Sequence, residues 1–306
     1  MGTVTALKTN DIGPDDLREY LQATEVQQRV VPASAFAAEV AREMFATNRP
    51  EPIVMPWSMT HGKFAFRPGE VTLWAGINGH GKSMMLSQVV LSLCAQEQRC
   101  CVASFEMKPW RQMERMLRQA SCGDSPTQEW LDAFSAWTDG RLWFYDQQGT
   151  VKTEWIYALV RYCADKLRIK HVVIDSLMKC VRAEDDMNAQ KAFVDELTAL
   201  ARDLEVHVHL VHHVRKQGSE RDRISKFDVK GSGSITDQVD NVLLVWRNKA
   251  KEQEDKRAGE PDALLTCDKQ RNGEWEGSFS FWFHKGAMQF VTTSDGRTMD
   301  LLRLGV

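Results

Sequence analysis

The chain has 306 residues, of which 43% are hydrophobic and 26% are charged. This balance is typical of a globular protein with a sizeable core, and it excludes a wholly disordered or collagen-like chain. The formal net charge is −3, so any surface that binds nucleic acid has to be local, because the protein as a whole does not attract phosphate.

Neither a membrane span nor a disulfide framework is predicted. The longest apolar runs, such as Val89 to Cys94, are far shorter than the roughly 18 residues of a spanning helix. The seven cysteines include no C-x-x-C pair, which argues against a zinc knuckle and fits a reducing compartment. We therefore expect a cytoplasmic protein without a membrane partner.

In chain order, residues 1–56 are predicted to form a helical arm and a linker. In its second helical pattern Phe36, Val40 and Met44 recur every four residues, and the proline-rich stretch Asn48 to Pro56 is typical of a linker. A helix this short is marginal alone in water. Its apolar stripe has to pack either on its own domain or on a neighbouring subunit, and the sequence leaves both open.

Residues 57–306 are predicted to form one α/β domain. Short β-rich apolar runs alternate with helical stretches, which is typical of βαβ units in a mostly parallel sheet with helices on both faces. The tail from Ala263 to Val291, with Asn272-Gly273 as a turn, predicts an antiparallel hairpin extension. The predicted strands are Val71–Ala75, Cys101–Phe105, Leu142–Tyr145, Val172–Ile174, Val206–Val211 and Val242–Trp246. The predicted helices are Lys82–Ala95, Trp110–Ala120, Glu154–Leu167 and Ala189–Leu204.

The strongest motif fills the pattern G-x-x-x-x-G-K-[ST] between a predicted strand and a predicted helix. Backbone N–H groups of such a loop surround phosphate, Lys82 can reach the β- and γ-phosphates, and Ser83 can bind Mg²⁺. The motif predicts a nucleoside triphosphate site with Mg²⁺. The residues leave the choice among triphosphates open, and ATP is the expected one. Its residues are Gly76, Ile77, Asn78, Gly79, His80, Gly81, Lys82 and Ser83.

Two carboxylates are candidates for the rest of the chemistry. Asp175 ends the apolar run HVVID, and we expect it at the carboxyl end of a buried strand that neighbours the phosphate loop, where it would hold the metal with Ser83. A helix N-cap is the alternative. Glu106 follows the strand CVASF at the same sheet edge and can orient and deprotonate water. A solvated strand-end acid is the alternative there.

With these residues in place, the sequence resembles the RecA-like helicase domain of the DnaB superfamily, in particular that of phage primase-helicases and Twinkle. The resemblance covers about Pro68 to Lys285. Besides the glycine-rich loop it is carried by SFEM at 104–107, VVIDSL at 172–177, LVHHVRK at 210–216, the stretch 228–248 and DKQRNG at 268–273. It implies a RecA-like P-loop NTPase core in a replicative DNA helicase or translocase that forms a homo-oligomeric ring, with a hexamer as the expected state.

The resemblance also implies roles for individual residues. Glu106 would activate water, and His213 would sense the γ-phosphate. Lys269 and Arg271, spaced K-x-R on a strand, would project into the nucleotide of the next subunit, where an arginine stabilises charge on the γ-phosphoryl oxygens. From the residues alone, an ordinary basic hairpin is the alternative.

Single-stranded DNA is the implied partner, and the expected contact segment lies between the strands that end near Val211 and begin near Val242. Because backbone phosphates dominate binding without sequence preference, a local basic loop repeated around a ring can hold the strand. A solvated loop is the alternative. The candidate residues are Arg215, Lys216, Arg221, Arg223, Lys226, Lys230 and Gly231.

The histidines of HVHLVHH at 207–213 leave a metal site as a minor alternative, since His207 and His209 share a strand face. The zinc finger and primase fold of the primase-helicases have no counterpart in this sequence, so we expect no priming and a separate primase or polymerase as partner. The expected setting is the bacterial or phage-infected host cytoplasm. Rival functions are a helicase loader, a RecA-like DNA-binding ATPase that does not unwind, and a nucleotide-binding module without turnover.

Overall fold

The computed structural model describes residues 33–45, 51–181, 186–214, 225–229, 232–254 and 257–302. Within these residues nine strands form one sheet in the order β3-β2-β4-β5-β1-β6-β7-β8-β9. The strands are β1 Val71–Gly76, β2 Cys100–Ser104, β3 Leu142–Phe144, β4 His171–Asp175, β5 His207–His213, β6 Asn241–Arg247, β7 Ala263–Gln270, β8 Gly277–His284 and β9 Gln289–Val291.

Strands β1 to β6 pair in parallel, as predicted. They are rich in β-branched residues, and β1, β2 and β4 are buried along their whole length, which is typical of a sheet covered on both faces. The carboxyl ends of all six strands therefore meet at one edge of the sheet, which we call the carboxyl edge. The opposite edge, where these strands begin, is called the amino edge.

The strand that carries Asp175 does not neighbour β1, contrary to our expectation. Strand β5 lies between β4 and β1, with Asp175 opposite Val211 and Gly76 opposite His213. The expectation was wrong because the motif spacing along the chain says nothing about which strand inserts between two others. His213 thereby lies directly beside the first glycine of the phosphate loop.

Helices cover both faces of the sheet, and two apolar clusters lie beneath them. Helix α2 has the predicted bounds, whereas α4 and α7 were not predicted. The polar residue Thr127 caps α4 by accepting a hydrogen bond from the Trp130 backbone N–H. The helices are α1 Ala37–Phe45, α2 Lys82–Ala95, α3 Pro109–Ser121, α4 Gln128–Thr138, α5 Thr153–Asp165, α6 Met187–Leu204 and α7 Ser232–Gln238.

The C-terminal strands form the predicted antiparallel extension, and it continues the main sheet. Strand β7 pairs with β6, and β8 and β9 continue the same sheet. Side chains from α2 and the N-terminal part of the domain hold β9 in place, since Trp57 Nε1 and Gln88 Nε2 both donate to the Phe290 carbonyl. Apolar residues on β7 and β8 thus extend the main core, which a local turn signal cannot reveal.

The N-terminal arm is described only in part. Its first predicted helix lies outside the described residues, and α1 presents Val40 and Met44 with 50% and 62% exposure. The end of the predicted linker packs on the domain, since Met55 is buried and Ile53 pairs with Phe66. The domain boundary at residue 56 stays a prediction. None of the described helices is long and apolar enough to cross a bilayer.

Candidate nucleotide site

The glycine-rich loop leaves β1 and turns into α2, as the motif predicts. Gly79 and Gly81 have φ of +79° and +90°, a region that favours glycine. At Gly76 an added Cβ would collide with the Val245 carbonyl oxygen of β6. The loop therefore needs glycine both for its turns and for its close approach to the neighbouring strand.

Lys82 is held over this loop. Its ammonium donates to the carbonyls of Gly76 at 2.8 Å and Ile77 at 3.2 Å. Burial lowers the pKa of Lys82 to about 8, although the carboxylates of Asp175 and Glu106 favour its charged form. A buried ammonium with so little compensation is suited to bind the negative charge of phosphate.

Ser83 and Asp175 lie together as a metal site requires. The Ser83 hydroxyl donates to Asp175 Oδ2 at 2.6 Å, and Asp175 is buried. Oxygen ligands of this kind fit Mg²⁺, which is bound by one or two carboxylates together with phosphate oxygens and water. The two side chains therefore fit the predicted metal.

The surroundings of Asp175 disfavour the charged form of its carboxyl group. Burial raises its pKa, and the nearby Glu106 carboxylate raises it further. The Ser83 hydrogen bond and the cations of Lys82 and Arg115 oppose that rise. A divalent cation at this position would compensate the buried carboxylate.

Glu106 lies two residues beyond β2 at the same carboxyl edge, and its side chain is 48% exposed. Ser176 Oγ donates to Glu106 Oε1 at 3.4 Å, and His213 Nε2 lies 4.0 Å from the same oxygen. Glu106, His213 and the glycine-rich loop therefore converge on one crevice. The arrangement places a carboxylate where it can receive a proton from water and a histidine N–H beside it.

Sequence reasoning missed two cations of this crevice. Arg115 on α3 interacts electrostatically with Asp175, which favours its charged form, while burial lowers the pKa of Arg115. Arg247 at the end of β6 donates through its backbone N–H to His80 Nδ1 at 3.1 Å and through Nη1 to the Gly79 carbonyl at 3.4 Å. In the sequence, the only indication that Arg115 belongs to this crevice is its position on the helix after Glu106. No sequence pattern marks Arg247 as part of it.

Lys269 and Arg271 lie at the amino edge. Lys269 is opposite Val242 near the beginning of β6, and the Arg271 backbone N–H donates to the Asp240 carbonyl. Since β1 spans five residue steps from Val71 to Gly76, at roughly 3.3 Å per residue, Arg271 is about 17 Å or more from the glycine-rich loop of its own chain. Neither side chain can reach the phosphate site of its own chain.

The candidate DNA-contact residues are mostly outside the described residues, so the structure leaves them untested. Lys226 belongs to a short 3₁₀ helix, Lys226–Asp228, and its side chain is not described. The remaining candidates all lie outside the described ranges. They are Arg215, Lys216, Arg221, Arg223, Lys230 and Gly231.

His207 and His209 form a buried cluster with His171 of β4 at the amino edge. Trp74 Nε1 donates to His209 Nδ1 at 3.3 Å, which leaves the proton on His209 Nε2 to be donated to His171 Nδ1 at 3.2 Å. Across the described ranges, no group of three or more His, Cys, Asp or Glu side chains is arranged to hold a metal ion. Burial lowers the pKa values of all three histidines, which favours a network of neutral side chains.

The chain is similar in sequence to known ATPase and helicase proteins. The family model described as an AAA domain (AAA_25) matches residues 57–219. The chain is 31% identical to the replicative DNA helicase DnaB of Leifsonia xyli subsp. xyli over 140 residues, which are 44% of this chain and 30% of the helicase. The identity to the replicative DNA helicase DnaB of Mycobacterium intracellulare is 26% over 195 residues, which are 62% of this chain and 31% of that helicase. The chain thus spans about a third of these relatives.

Two solved structures share the fold. One is described as an ATPase domain, and it matches with a TM-score of 0.72 and 18% identity, covering 85% of this chain and 98% of that domain. The other is a DnaB-like replicative helicase, described together with its interactions with primase. It matches with a TM-score of 0.69 and 17% identity, covering 90% of this chain and 70% of the helicase. At these identities the likeness concerns the fold.

Proposed function

This chain belongs to the AAA domain family and is a RecA-like ATPase domain of the DnaB superfamily, and on that premise we propose that it is a ring-forming replicative DNA helicase or translocase. It would couple ATP hydrolysis at subunit interfaces to movement on single-stranded DNA and to unwinding of the duplex. The observation that carries the proposal is the convergence of Lys82, Ser83, Asp175, Glu106 and His213 at one sheet edge.

The proposed chemistry follows from these side chains. Lys82 neutralises the β- and γ-phosphates, and Ser83 and Asp175 hold Mg²⁺, which neutralises phosphate charge and orients the triphosphate when bound. Glu106 receives the proton of the attacking water. His213, beside Gly76 and 4.0 Å from Glu106, can donate its N–H to the γ-phosphate and so register whether that phosphate is present.

A second copy of the chain completes the site in this proposal. Arg271 and Lys269 lie at the amino edge, too far to act on their own phosphate loop. An arginine that stabilises the transferring phosphoryl group can act in trans and contributes several orders of magnitude in rate. The enzyme would therefore be inactive as a monomer, and a closed ring, with six copies as the expected number, would place each Arg271 at a neighbour's nucleotide.

The N-terminal arm would hold adjacent copies together. Its helix α1 exposes Val40, Met44 and Phe45, which is a large apolar surface for a short helix. Docking on a neighbouring copy would remove this surface from water. Single-stranded DNA would run through the ring along the basic segment from Arg215 to Gly231, although the net charge of the chain is negative.

ATPase assays with and without single-stranded DNA test the proposal. Stimulation by DNA supports a translocase, and Lys82→Ala should abolish turnover in both conditions. The alternative is a helicase loader or RecA-like ATPase that does not unwind by itself, in which turnover is independent of DNA or a partner helicase is required. Absence of turnover under every condition would contradict both functions, and strand separation of a forked duplex distinguishes the first from the second.

A further inference from the structure

Asp240 occupies the amino edge as a buried carboxylate, with only 4% of its side chain exposed. Its Oδ2 accepts a hydrogen bond from the Val71 backbone N–H at 2.9 Å. Its Oδ1 lies 3.3 Å from Arg271 Nε and 3.5 Å from Arg202 Nη2. One carboxylate thus connects the start of β1, the end of α6 and the arginine that follows β7.

The carbonyl end of α7 supports the same arginine. Arg271 Nη2 donates to the carbonyls of Asp237 at 3.3 Å and Gln238 at 3.4 Å. The Lys269 ammonium donates to the carbonyls of Thr236, Asp237 and Val239 at 2.7 to 2.9 Å. The last carbonyls of a helix lack intrahelical partners and carry partial negative charge, so cations are stabilised there.

These contacts limit how the Arg271 side chain can point. Its Nε and Nη2 are engaged by its own chain, yet the side chain remains 44% exposed. When contacts with its own chain hold one side of a planar guanidinium, the other side faces outward in a defined direction. Because a misplacement of about 1 Å can lower a rate by roughly a hundredfold, such orientation matters for a group that acts on a neighbour.

We propose that Asp240 is the positioning residue of Arg271: together with the carbonyl end of α7 it orients the guanidinium for the triphosphate of the adjacent copy. This inference rests on the proposed function. It also connects two features of that function, because α7 directly follows the candidate DNA-contact segment in the chain.

A purely structural role for Asp240 makes a different prediction. The carboxylate also holds Val71 and pairs with Arg202, so it could serve only to join β1, β6 and α6. In that case its replacement would lower stability and nucleotide binding together. A positioning role lowers turnover while the neighbour's phosphate loop still binds ATP.

Asp240→Asn separates the two roles. The amide oxygen can still accept from the Val71 N–H, but the charge that attracts Arg271 is gone. We expect kcat of the folded protein to fall at least about tenfold and KM for ATP to stay within about twofold. The urea midpoint should also fall, because the amide NH2 group cannot accept from the donors around Asp240. In an Arg271→Ala background, the same substitution should change residual kcat by less than about twofold, because two residues that act as a unit are not additive.

Arg202→Ala is the matched control, since it removes the other cation from Asp240 Oδ1 and should leave kcat at the wild-type level. If Asp240→Asn does not fold, Asp240→Glu replaces it, because it keeps the charge but moves it by one methylene, and the same loss of kcat is expected.

Full turnover by a folded Asp240 variant, with Arg271→Ala inactive, contradicts the inference alone. Full turnover by Arg271→Ala contradicts the shared site itself. Equal losses of kcat and stability in Asp240→Asn and Arg202→Ala mean a structural role, which overturns the inference.

Discussion

The two edges of the parallel strands use buried polar groups in opposite ways. At the carboxyl edge, burial lowers the pKa of Lys82 and raises the pKa of Asp175, so both charges lie in places that disfavour them. At the amino edge, Asp240 and Glu70 are equally buried but are paired with cations and amide donors. One edge keeps charge for a ligand, and the other uses polar groups to join strands. Within one copy, Asp175 thereby serves the ligand and Glu70 serves stability, whereas Asp240 is proposed to serve both through Arg271.

The amino edge is a connected network. Glu70 accepts hydrogen bonds from Asn241 Nδ2 at 2.9 Å and from Asn272 Nδ2 at 2.7 Å. Asn241 Nδ2 also donates to Thr72 Oγ1, and that hydroxyl lies 2.9 Å from His207 Nε2. His207 donates in turn through Nδ1 to the Arg67 carbonyl at 2.7 Å. Networks of this kind stabilise a fold only when each member keeps its partner.

The largest contrast between the edges comes from neutralising one carboxylate at each. Asp175→Asn should lower ATP turnover by about a thousandfold or more, because a metal ligand is lost. The unfolding free energy should stay at least as high as in wild type, since burial raises the pKa of Asp175 and the charged form is unfavourable in the fold. Steady-state ATPase rates and urea unfolding measure the two effects.

Glu70→Gln is the matched change at the amino edge. The glutamine amide would face the amide of Asn241 or Asn272, so one buried donor would lose its acceptor at a cost of about 1–3 kcal/mol. Turnover of the folded fraction should be unchanged. A stable Glu70→Gln with reduced turnover, or an unstable Asp175→Asn, would show that the two edges are not separated in this way.

The next effect is a loss of stability in mild acid caused by the buried histidines. Burial lowers the pKa of His207 to about 4. Burial also lowers the pKa values of His171 and His209 well below the ordinary value, and the charges of neighbouring histidines lower these two pKa values further. Their unfolded pKa is about 6.5, so between this value and the folded pKa only the unfolded chain binds the protons. As pH falls from 7.5 to 5.5, the unfolding free energy should drop by about 1 kcal/mol per histidine.

Urea unfolding across this pH range measures the effect, and two glutamine variants calibrate it. His207→Gln removes one titrating group and keeps a donor and an acceptor, so the pH dependence should flatten by about one proton. His209→Gln removes a second group whose pKa burial lowers, so it should flatten the pH dependence in the same way. A stability that does not depend on pH between 7.5 and 5.5 would contradict the neutral histidine network.

The carboxyl edge was largely predictable from sequence and the amino edge was not. The glycine-rich loop, α2 and Asp175 each carry a local signal, and the family predicted from the motifs is confirmed. By contrast, the contact of His171 with His209 joins two strands that are 38 residues apart, and no local pattern marks it. Asp240 carries no local signal in the sequence, and only the pairing of β6 with β7 brings it to Arg271.

The order of strands was also beyond the sequence. Strand β5 separates β4 from β1, and β7 to β9 complete the sheet. This order depends on long-range strand pairs, such as Val242 with Lys269 and Leu265 with Phe279, and not on turn residues. Helix α4 was missed although Trp130, Phe134 and Trp137 recur at helical spacing. The roles predicted for His213, Lys269, Arg271 and the basic segment stay predictions.

The smallest effect concerns the protonation of Lys82. Burial lowers its pKa to about 8 in the ligand-free protein, so its charge is lost as pH rises through that value. ATP binding needs the ammonium, and affinity should fall about tenfold between pH 7 and pH 9, with about one proton taken up on binding at the higher pH. Titration calorimetry in two buffers of different ionisation enthalpy measures both quantities, and an affinity that is constant across this range would contradict the assigned role of burial.

The shared site is tested most directly by mixing two inactive variants. Lys82→Ala subunits keep Arg271 but cannot turn over ATP in their own loop, and Arg271→Ala subunits keep the loop but lack the arginine. If a neighbour's Arg271 completes the site, an equal mixture of exchanging subunits should recover about a quarter of the wild-type ATPase rate, because a quarter of the interfaces combine both intact parts. Arg271→Ala mixed with the Lys82→Ala/Arg271→Ala double variant should recover none, since no subunit supplies the arginine. Mixed oligomers that form but stay as inactive as their components would contradict the shared site.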